Sequence, residues 1–250
     1  MLKADSTSGG AGVSIVHNLE QAQRAMRRLK APPLLARAAK RALVDGDTTL
    51  VWPSLLRRRF TVNAQMFIAG REATSAVACW KGAALASLHF EVLNKVNSAG
   101  HATVLRRIEN AEMSSVAEKI ARRLKFSGLL GLDFMLENDT QNAYLIEVNP
   151  RATQVGHLTL GSGNDLPAAL YSALSGQPLQ PAPKITDKEV IALFPHEWLR
   201  DAVSPFLRSG HHDVPWEEPD LVLACIKHGR TSWGASRRSW AQNLSAVPKL

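Results

Sequence analysis

The chain has 250 residues, of which 45% are hydrophobic, and a formal net charge of +8. A chain of this length and ordinary composition buries enough apolar surface to fold without disulfide bonds or structural metal ions. Its two cysteines, Cys79 and Cys225, exclude a disulfide-rich secreted scaffold. No apolar run reaches the roughly 20 residues that span a bilayer, and the first residues lack the apolar core of a signal peptide. We therefore expect a cytoplasmic protein without a membrane partner.

The positive charge is densest over residues 24–41, where seven Lys and Arg occur without Asp or Glu. No aromatic RNA-binding strand and no Cys/His finger spacing accompanies this stretch. Solvated helix faces around an anionic ligand explain the charge better than nucleic acid, which we do not expect as a partner.

The N-terminal half favours short helices followed by β-structure. Residues 1–17 indicate strand, glycine-rich turn and strand; Asn18 then caps a helix over 19–30, and a second helix ends near Val44. From 59 to 108 the pattern changes to four apolar runs separated by turn residues, FTVNAQMFI, ATSAVACW, AALASLHFEVL and HATVLRRIE.

The second half predicts a helix, two successive strands, a second helix and a short strand, in that order. Residues 112–126 predict a helix with one apolar stripe. The stretches GLLGLDFML and NAYLIEVN predict two strands joined by the turn at 138–142, and a helix at 164–175 starts at Asn164 or Asp165. A proline-rich linker at 177–184 precedes a short strand, EVIALFPH. The apolar stripe of the helix predicted over residues 112–126 consists of Met113, Val116, Ile120 and Leu124.

This order predicts an α+β fold with a largely antiparallel sheet flanked by helices. A doubly wound dinucleotide fold needs a helix after each strand, which 59–108 does not supply. The run SGGAG also joins two strands, whereas the dinucleotide fingerprint leads from a strand into a helix.

Polar residues interrupt the apolar strand that ends at Pro150. Side chains alternate along a strand, so Glu147 and Asn149 share a face, which we expect Leu145 to continue. If the two strands form a hairpin, Asp133 lies opposite this pair. Two carboxylates and an amide oxygen suit a hard cation such as Mg²⁺, and Arg151 follows directly. A hairpin with merely exposed polar ends explains the same residues almost equally well.

The sequence EVNPR after a GLDF strand resembles the metal-binding end of the ATP-grasp superfamily, which includes D-alanine–D-alanine ligase, biotin carboxylase and carbamoyl phosphate synthetase. Two further stretches, LKADSTSGGAGV at 2–13 and VNAQMFIAGRE at 62–72, follow the order of that family. The resemblance covers about residues 1–176. It implies the ATP-grasp fold, in which two α+β subdomains grip ATP.

The resemblance implies roles for named residues. Lys3 contacts the ATP phosphates, a glycine-rich loop covers the triphosphate, and Glu72 binds the ribose hydroxyls. Gln65 departs from the acidic residue often found at its position. The loop residues implied are Gly9, Gly10 and Gly12, and those that line the adenine are Gln65, Met66, Phe67 and Ile68.

The same resemblance implies that Asp133, Glu147 and Asn149 hold Mg²⁺, with Mn²⁺ as the alternative metal. Arg151 stabilises the transferred phosphoryl group, so Arg151 and Lys3 are the implied catalytic residues.

By this resemblance the small lid subdomain occupies 1–64, the large subdomain 65–180, and an extension packed on the core 181–250. The chain starts almost on the Lys3 strand, so we expect the family's N-terminal domain and an upstream lysine to be absent, or supplied by a homodimer mate or partner chain. The implied activity is an ATP-dependent carboxylate–amine or carboxylate–thiol ligase acting on small substrates through an acyl-phosphate. The alternative is a truncated or non-catalytic nucleotide-binding module that pairs with another chain.

Several other residues are weaker candidates. His157 follows the Arg151 segment and can reach an acceptor substrate, although a histidine bonded to a local carbonyl is the commoner case. His196, His211 and His212 lack the spacing of a metal site. The cysteines have no basic neighbour in sequence and are expected to be buried thiols.

Overall fold

A computed structural model describes residues 1–5, 12–44, 46, 48–97, 100–161, 165–179 and 183–232. The chain divides into two compact units, Met1–Ile68 and Ala69–Leu250. The division lies four residues beyond the boundary expected after residue 64.

The first unit contains, in its described part, a three-stranded antiparallel sheet and three helices. The strand order is β2-β1-β3, with Lys3 of β1 paired to Val13 on one side and Asn63 on the other. Asn18 caps the first helix by accepting a hydrogen bond from the Gln21 amide, as its position predicts. The elements are β1 (Leu2–Ala4), β2 (Val13–Ser14), α1 (Leu19–Leu29), α2 (Leu35–Val44), α3 (Val51–Leu55) and β3 (Val62–Ala64).

The second unit is built, within the described ranges, on a seven-stranded sheet of order β10-β9-β6-β5-β4-β7-β8. All pairings are antiparallel except that of β10 with β9. The predicted α+β class and antiparallel sheet are therefore confirmed. The elements are β4 (Gly70–Trp80), β5 (Ala83–Lys95), β6 (Ala102–Arg107), α4 (Ala111–Leu124), β7 (Gly128–Glu137), β8 (Ala143–Asn149), α5 (Leu166–Ser175), β9 (Val190–Leu193), α6 (His196–Arg200), α7 (Phe206–Ser209), β10 (His211–Asp213) and α8 (Pro219–Ser232).

One apolar cluster lies between the sheet and α4. Met113, Ala117 and Ala121 recur every four residues and are buried with Leu132 and Phe134 of β7. Of the predicted stripe, Met113, Val116 and Ile120 pack in this cluster, whereas Leu124 ends the helix and is exposed. The helix stops there because the next residue adopts a left-handed conformation.

A second apolar cluster joins the strands to the chain that follows β8. Val155, Leu158 and Leu166 pack with Leu88 and Phe90 of β5. Paired and alternating positions place these β5 residues on the opposite face from the α4 cluster. The segment after β8 therefore covers the face of the sheet that also carries Asp133.

The close approach of this segment to β7 requires a glycine. A Cβ on Gly131 would lie 2.2 Å from Cγ2 of Thr153. We expect Gly131→Ala to lower the free energy of unfolding by about 1–3 kcal/mol, measured by denaturant titration. Adding Thr153→Ala removes the opposing methyl group and should restore most of the loss. Gly156→Ala is the matched control, since its Cβ meets its nearest atom at 3.4 Å; an equal loss there contradicts the steric explanation.

Three histidines on or beside β6, α6 and β10 have pKa values below the usual range. The rings of His101 and His196 meet edge to face with centroids 4.2 Å apart. Burial, aided by the neighbouring His101, lowers the pKa of His196 to about 4. Burial also lowers the pKa of His101 and His212.

Because these histidines bind protons more readily when unfolded, they should reduce stability as the pH falls from about 6.5 towards 4. We expect His196→Asn to lose less stability than the wild type between pH 7 and pH 5, as measured by urea unfolding. Parallel losses in the two proteins would contradict this assignment.

Several sequence predictions need correction. The run FTVNAQMFI forms a strand only at Val62–Ala64; Gln65 still bonds to Met1, and residues 66–69 leave the sheet. The short helices α3, α6 and α7, the strand β10 and the helix α8 were not predicted. Within the described residues 183–232, β9 and β10 extend the sheet, and the predicted role of 181–250 as a packed extension stays a prediction. Both cysteines are unbridged, but Cys225 is only partly buried, whereas burial raises the pKa of Cys79 to about 11.

Asp165 caps α5 through the Ala168 amide, as predicted; the other predicted cap, Asn164, lies outside the described residues. Among the helices of the described chain, none is long and apolar enough to cross a membrane.

Candidate functional site

The predicted hairpin forms, and its pairing brings the polar residues together. β7 and β8 are antiparallel, with Asp133 opposite Glu147 and Gly131 opposite Asn149. A bulge at Ile146 shifts the register by one residue. Leu145 therefore packs with the α4 cluster instead of sharing the Glu147 face, which corrects the simple alternation expected from sequence.

Asp133 is the centre of this cluster. Its Oδ1 accepts a hydrogen bond from Thr74 Oγ1 and its Oδ2 accepts one from Asn149 Nδ2, both at 2.9 Å. Burial is the largest influence and raises the pKa of Asp133, and the nearby carboxylates of Glu147 and Glu72 raise it further. The two hydrogen bonds oppose the shift without cancelling it. Negative charge is thus crowded at a partly buried position.

Two residues of this cluster were missed in the sequence analysis, Thr74 and Lys95. Alternation along β4 from Glu72 would have placed Thr74 on the same face. The Lys95 ammonium lies 2.6 Å from the Glu72 carboxylate, across a sequence separation that no short motif reveals. Glu72 therefore pairs with a lysine and adds negative charge near Asp133, and its predicted ribose contact stays a prediction.

The donor set fits a hard divalent cation that keeps several water or phosphate ligands. Two carboxylates and an amide project from one hairpin, and the carboxylates of Glu147 and Glu72 both act on the partly buried Asp133. Within the described ranges, no three His, Cys, Asp or Glu side chains form a metal site by themselves. Mg²⁺ commonly takes only one or two carboxylates from a protein, so Asp133, Glu147 and Asn149 could hold it.

Arg151 lies just beyond the hairpin and is exposed. Its amide donates to the Asn149 carbonyl at 2.8 Å, and its guanidinium donates to the Ala152 carbonyl at 3.1 Å. Thr153 then packs on Gly131, which pairs with Asn149. The backbone of Arg151 is thus bonded directly to that of Asn149, a candidate metal ligand.

In the first unit, the predicted phosphate-binding stretch is partly described. Lys3 is half-buried on the central strand, and the Ala4 amide donates to the Gly12 carbonyl at 2.8 Å. The strands that flank the glycine-rich turn are therefore paired, as predicted. Gly9 and Gly10 lie outside the described residues.

The predicted adenine-lining residues 65–68 form the end of the first unit. The Gln65 amide donates to the Met1 carbonyl at 2.9 Å, which continues the β1–β3 ladder. Met66 and Phe67 are exposed, and Ile68 is half-buried. The backbone amide and carbonyl of Gln65 are thus both bonded to Met1, and the adenine contacts of Gln65, Met66, Phe67 and Ile68 stay a prediction.

The model of one protein family, described as the ATP-grasp domain, matches residues 1–155. The chain belongs to the ATP-grasp family. The match includes every candidate residue from Lys3 to Arg151 and ends just before His157. No curated protein matches the chain.

Among solved structures, this ATP-grasp chain is similar to the biotin carboxylase domain of Hydrogenobacter thermophilus 2-oxoglutarate carboxylase, in complex with MgADP, ADP and bicarbonate. The two are 17% identical with a TM-score of 0.46 over 72% of this chain and 37% of the other. The carboxyaminoimidazole ribonucleotide synthase of Aspergillus clavatus, complexed with ATP, is 16% identical with a TM-score of 0.42, over 72% and 44%. The chain thus spans less than half of either structure.

Proposed function

We propose that the chain binds Mg–ATP through the Asp133 cluster and acts as an ATP-dependent carboxylate–amine or carboxylate–thiol ligase. The observation that carries this proposal is the pairing of Asp133 with Glu147, with Asn149 donating to Asp133 at 2.9 Å. Membership of the ATP-grasp family supports it. The bound nucleotides of the similar structures are consistent with the same ligand.

In this proposal the protein's own groups position and neutralise charge. Asp133, Glu147 and Asn149 hold the metal, which offsets charge on the ATP phosphates when bound. Lys3 and Arg151 bind phosphoryl oxygens, and Arg151 can do so with two parallel donors. Lys95 adds a third cation beside Glu72. Such charge placement is the main protein contribution in phosphoryl transfer.

The proposed reaction forms an acyl-phosphate. A carboxylate oxygen of the substrate attacks the γ-phosphorus of ATP, the bond to the β-phosphate oxygen breaks, and ADP leaves. An amine or thiol then attacks the acyl carbon, phosphate leaves, and the nucleophile loses its proton.

Calorimetric titration with a non-hydrolysable ATP analogue, with and without Mg²⁺, tests the proposal. We expect saturable binding that requires Mg²⁺. Binding that is absent, or equal with and without Mg²⁺, would overturn the assignment of the Asp133 cluster. Phosphate release with a panel of carboxylates and amines then separates a ligase from a nucleotide-binding module without turnover.

A further inference from the structure

A contact between distant parts of the second unit holds the chain beyond Arg151. The Nε2 atom of His157 lies 2.8 Å from Oδ2 of Asp213, which is on the last strand of the sheet. The family match ends at residue 155, so this contact lies outside it. The Asp213 side chain is 19% exposed and that of His157 is 60% exposed. The carboxylate is thus fixed, and the ring reaches it from the surface.

Residues 149–158 connect the hairpin to His157, and hydrogen bonds and packing hold this segment at both ends. At its start, Asn149 donates to Asp133, and Thr153 fills the space above Gly131. At its end, amide hydrogen bonds from Gly156 to Thr153 and from Leu158 to Val155 form a compact turn around His157. Arg151 lies between Asn149 and Thr153, with its guanidinium on the Ala152 carbonyl, and residues 154–156 connect this stretch to His157.

We propose that Asp213 is a positioning residue for the candidate site, holding the Arg151 segment in place through His157. This proposal rests on the proposed function in one respect, since that function makes Arg151 a ligand of the phosphoryl oxygens. Asp213 belongs to β10, which is parallel to β9 and joined to it over three residue pairs. The C-terminal strands thereby contribute to the position of the Arg151 segment through His157.

The charge of His157 strengthens the contact. The hydrogen bond to Asp213 is the largest influence and raises the pKa of His157, with a smaller contribution from the Gln154 carbonyl. Among the described residues, Asp213 is the charged group that acts on this ring; its neighbour His211 acts on His212 instead. Because the folded pKa is raised, the contact is strongest below about pH 6.5 and weakens as pH rises through that raised value.

The experiment compares the 250-residue wild-type chain with Asp213→Asn and with Asp187→Asn. The control removes a carboxylate from an exposed ion pair with Lys184 in the same unit. Hydrogen exchange of peptides covering 150–158 needs no nucleotide. We expect faster exchange in Asp213→Asn than in the control, and an NMR-measured His157 pKa that returns towards about 6.5. Unchanged exchange or an unchanged His157 pKa would overturn the proposal.

The link to the site is tested by a double-mutant cycle on Mg–ATP analogue binding. We expect Asp213→Asn to weaken binding about threefold to tenfold when Arg151 is present and to have no effect in an Arg151→Ala background. Equal effects in both backgrounds would overturn the positioning role, because the contact would then act on general stability. If the wild type binds no nucleotide, the proposed function fails, and the exchange data still decide whether Asp213 holds the segment.

Discussion

We expect the Asp133→Asn variant to lose Mg²⁺-dependent binding of a non-hydrolysable ATP analogue by at least about 100-fold. Removing a residue that only supports a metal ligand typically lowers metal affinity or activity by about 10- to 100-fold. Asp133 is proposed as a direct ligand, so its loss should cost more. Glu147→Gln should have a comparable effect, because it removes the carboxylate that faces Asp133 across the hairpin.

The same variant should be at least as stable as the wild type without metal. Folding raises the pKa of Asp133, so the ionised carboxylate opposes folding above that pKa, and a neutral amide removes this cost at pH 7. The amide oxygen of the new side chain can still accept the Thr74 hydroxyl. Opposite signs for binding and stability distinguish the loss of a ligand from the loss of the fold.

Calorimetry at pH 7 gives the affinity, and thermal unfolding gives the stability. Asp139→Asn is the matched control: it removes an exposed carboxylate from the turn of the same hairpin. It should leave both quantities unchanged. Retention of wild-type Mg–ATP affinity by Asp133→Asn would contradict the proposed function, and a large loss of stability would contradict the charge argument.

The hairpin could be predicted because its sequence contains two independent signals. The turn residues at 138–142 set where the chain reverses, and polar residues at one end of an apolar strand show where function interrupts packing. Together they were sufficient to place Asp133 opposite Glu147. They could not place the bulge at Ile146, since a bulge is one extra residue whose backbone conformation leaves no hydrophobic pattern.

Other parts of the cluster depend on contacts that single-strand patterns do not contain. The ion pair of Lys95 with Glu72 requires the register of β4 on β5, which the sheet sets as a whole. The turn after β8 reaches Asp213 because two strands extend the sheet far from the hairpin in sequence. Elements of three to five residues, such as β10 and α6, are too short for a period to show.

The largest expected effect on stability comes from a buried carboxylate that no motif indicated. Glu197 on α6 is fully buried, and its Oε2 accepts hydrogen bonds from Arg200 Nε at 2.7 Å and Thr103 Oγ1 at 2.6 Å. Its Oε1 accepts from Arg200 Nη2 and from Ser204 Oγ, both at 2.5 Å. Although burial alone would raise it, the hydrogen bonds from Arg200, Ser204 and Thr103 lower the pKa of Glu197 overall.

We expect Glu197→Gln to lower the free energy of unfolding by about 2–4 kcal/mol, because it removes the charge from a fully buried acceptor of four hydrogen bonds, although the Arg200 side chain left behind is 28% exposed and lies near Asp201. The amide also turns two donor hydrogens towards groups that are themselves donors. Since folding lowers the pKa of Glu197, its contribution is fully present above about pH 4.5 and is lost as pH falls through the folded value.

Urea unfolding at pH 7 measures the loss, and Glu118→Gln on the exposed face of α4 is the control, with no change expected. Glu197 ties α6 to Thr103 of β6, and α6 connects β9 to the chain that leads into β10. The variant should therefore increase hydrogen exchange in β10 more than in β7. A loss below about 1 kcal/mol, the size of an exposed ion pair, would show that solvent reaches this network, and exchange that increases equally in both strands would show that α6 does not hold the C-terminal edge of the sheet.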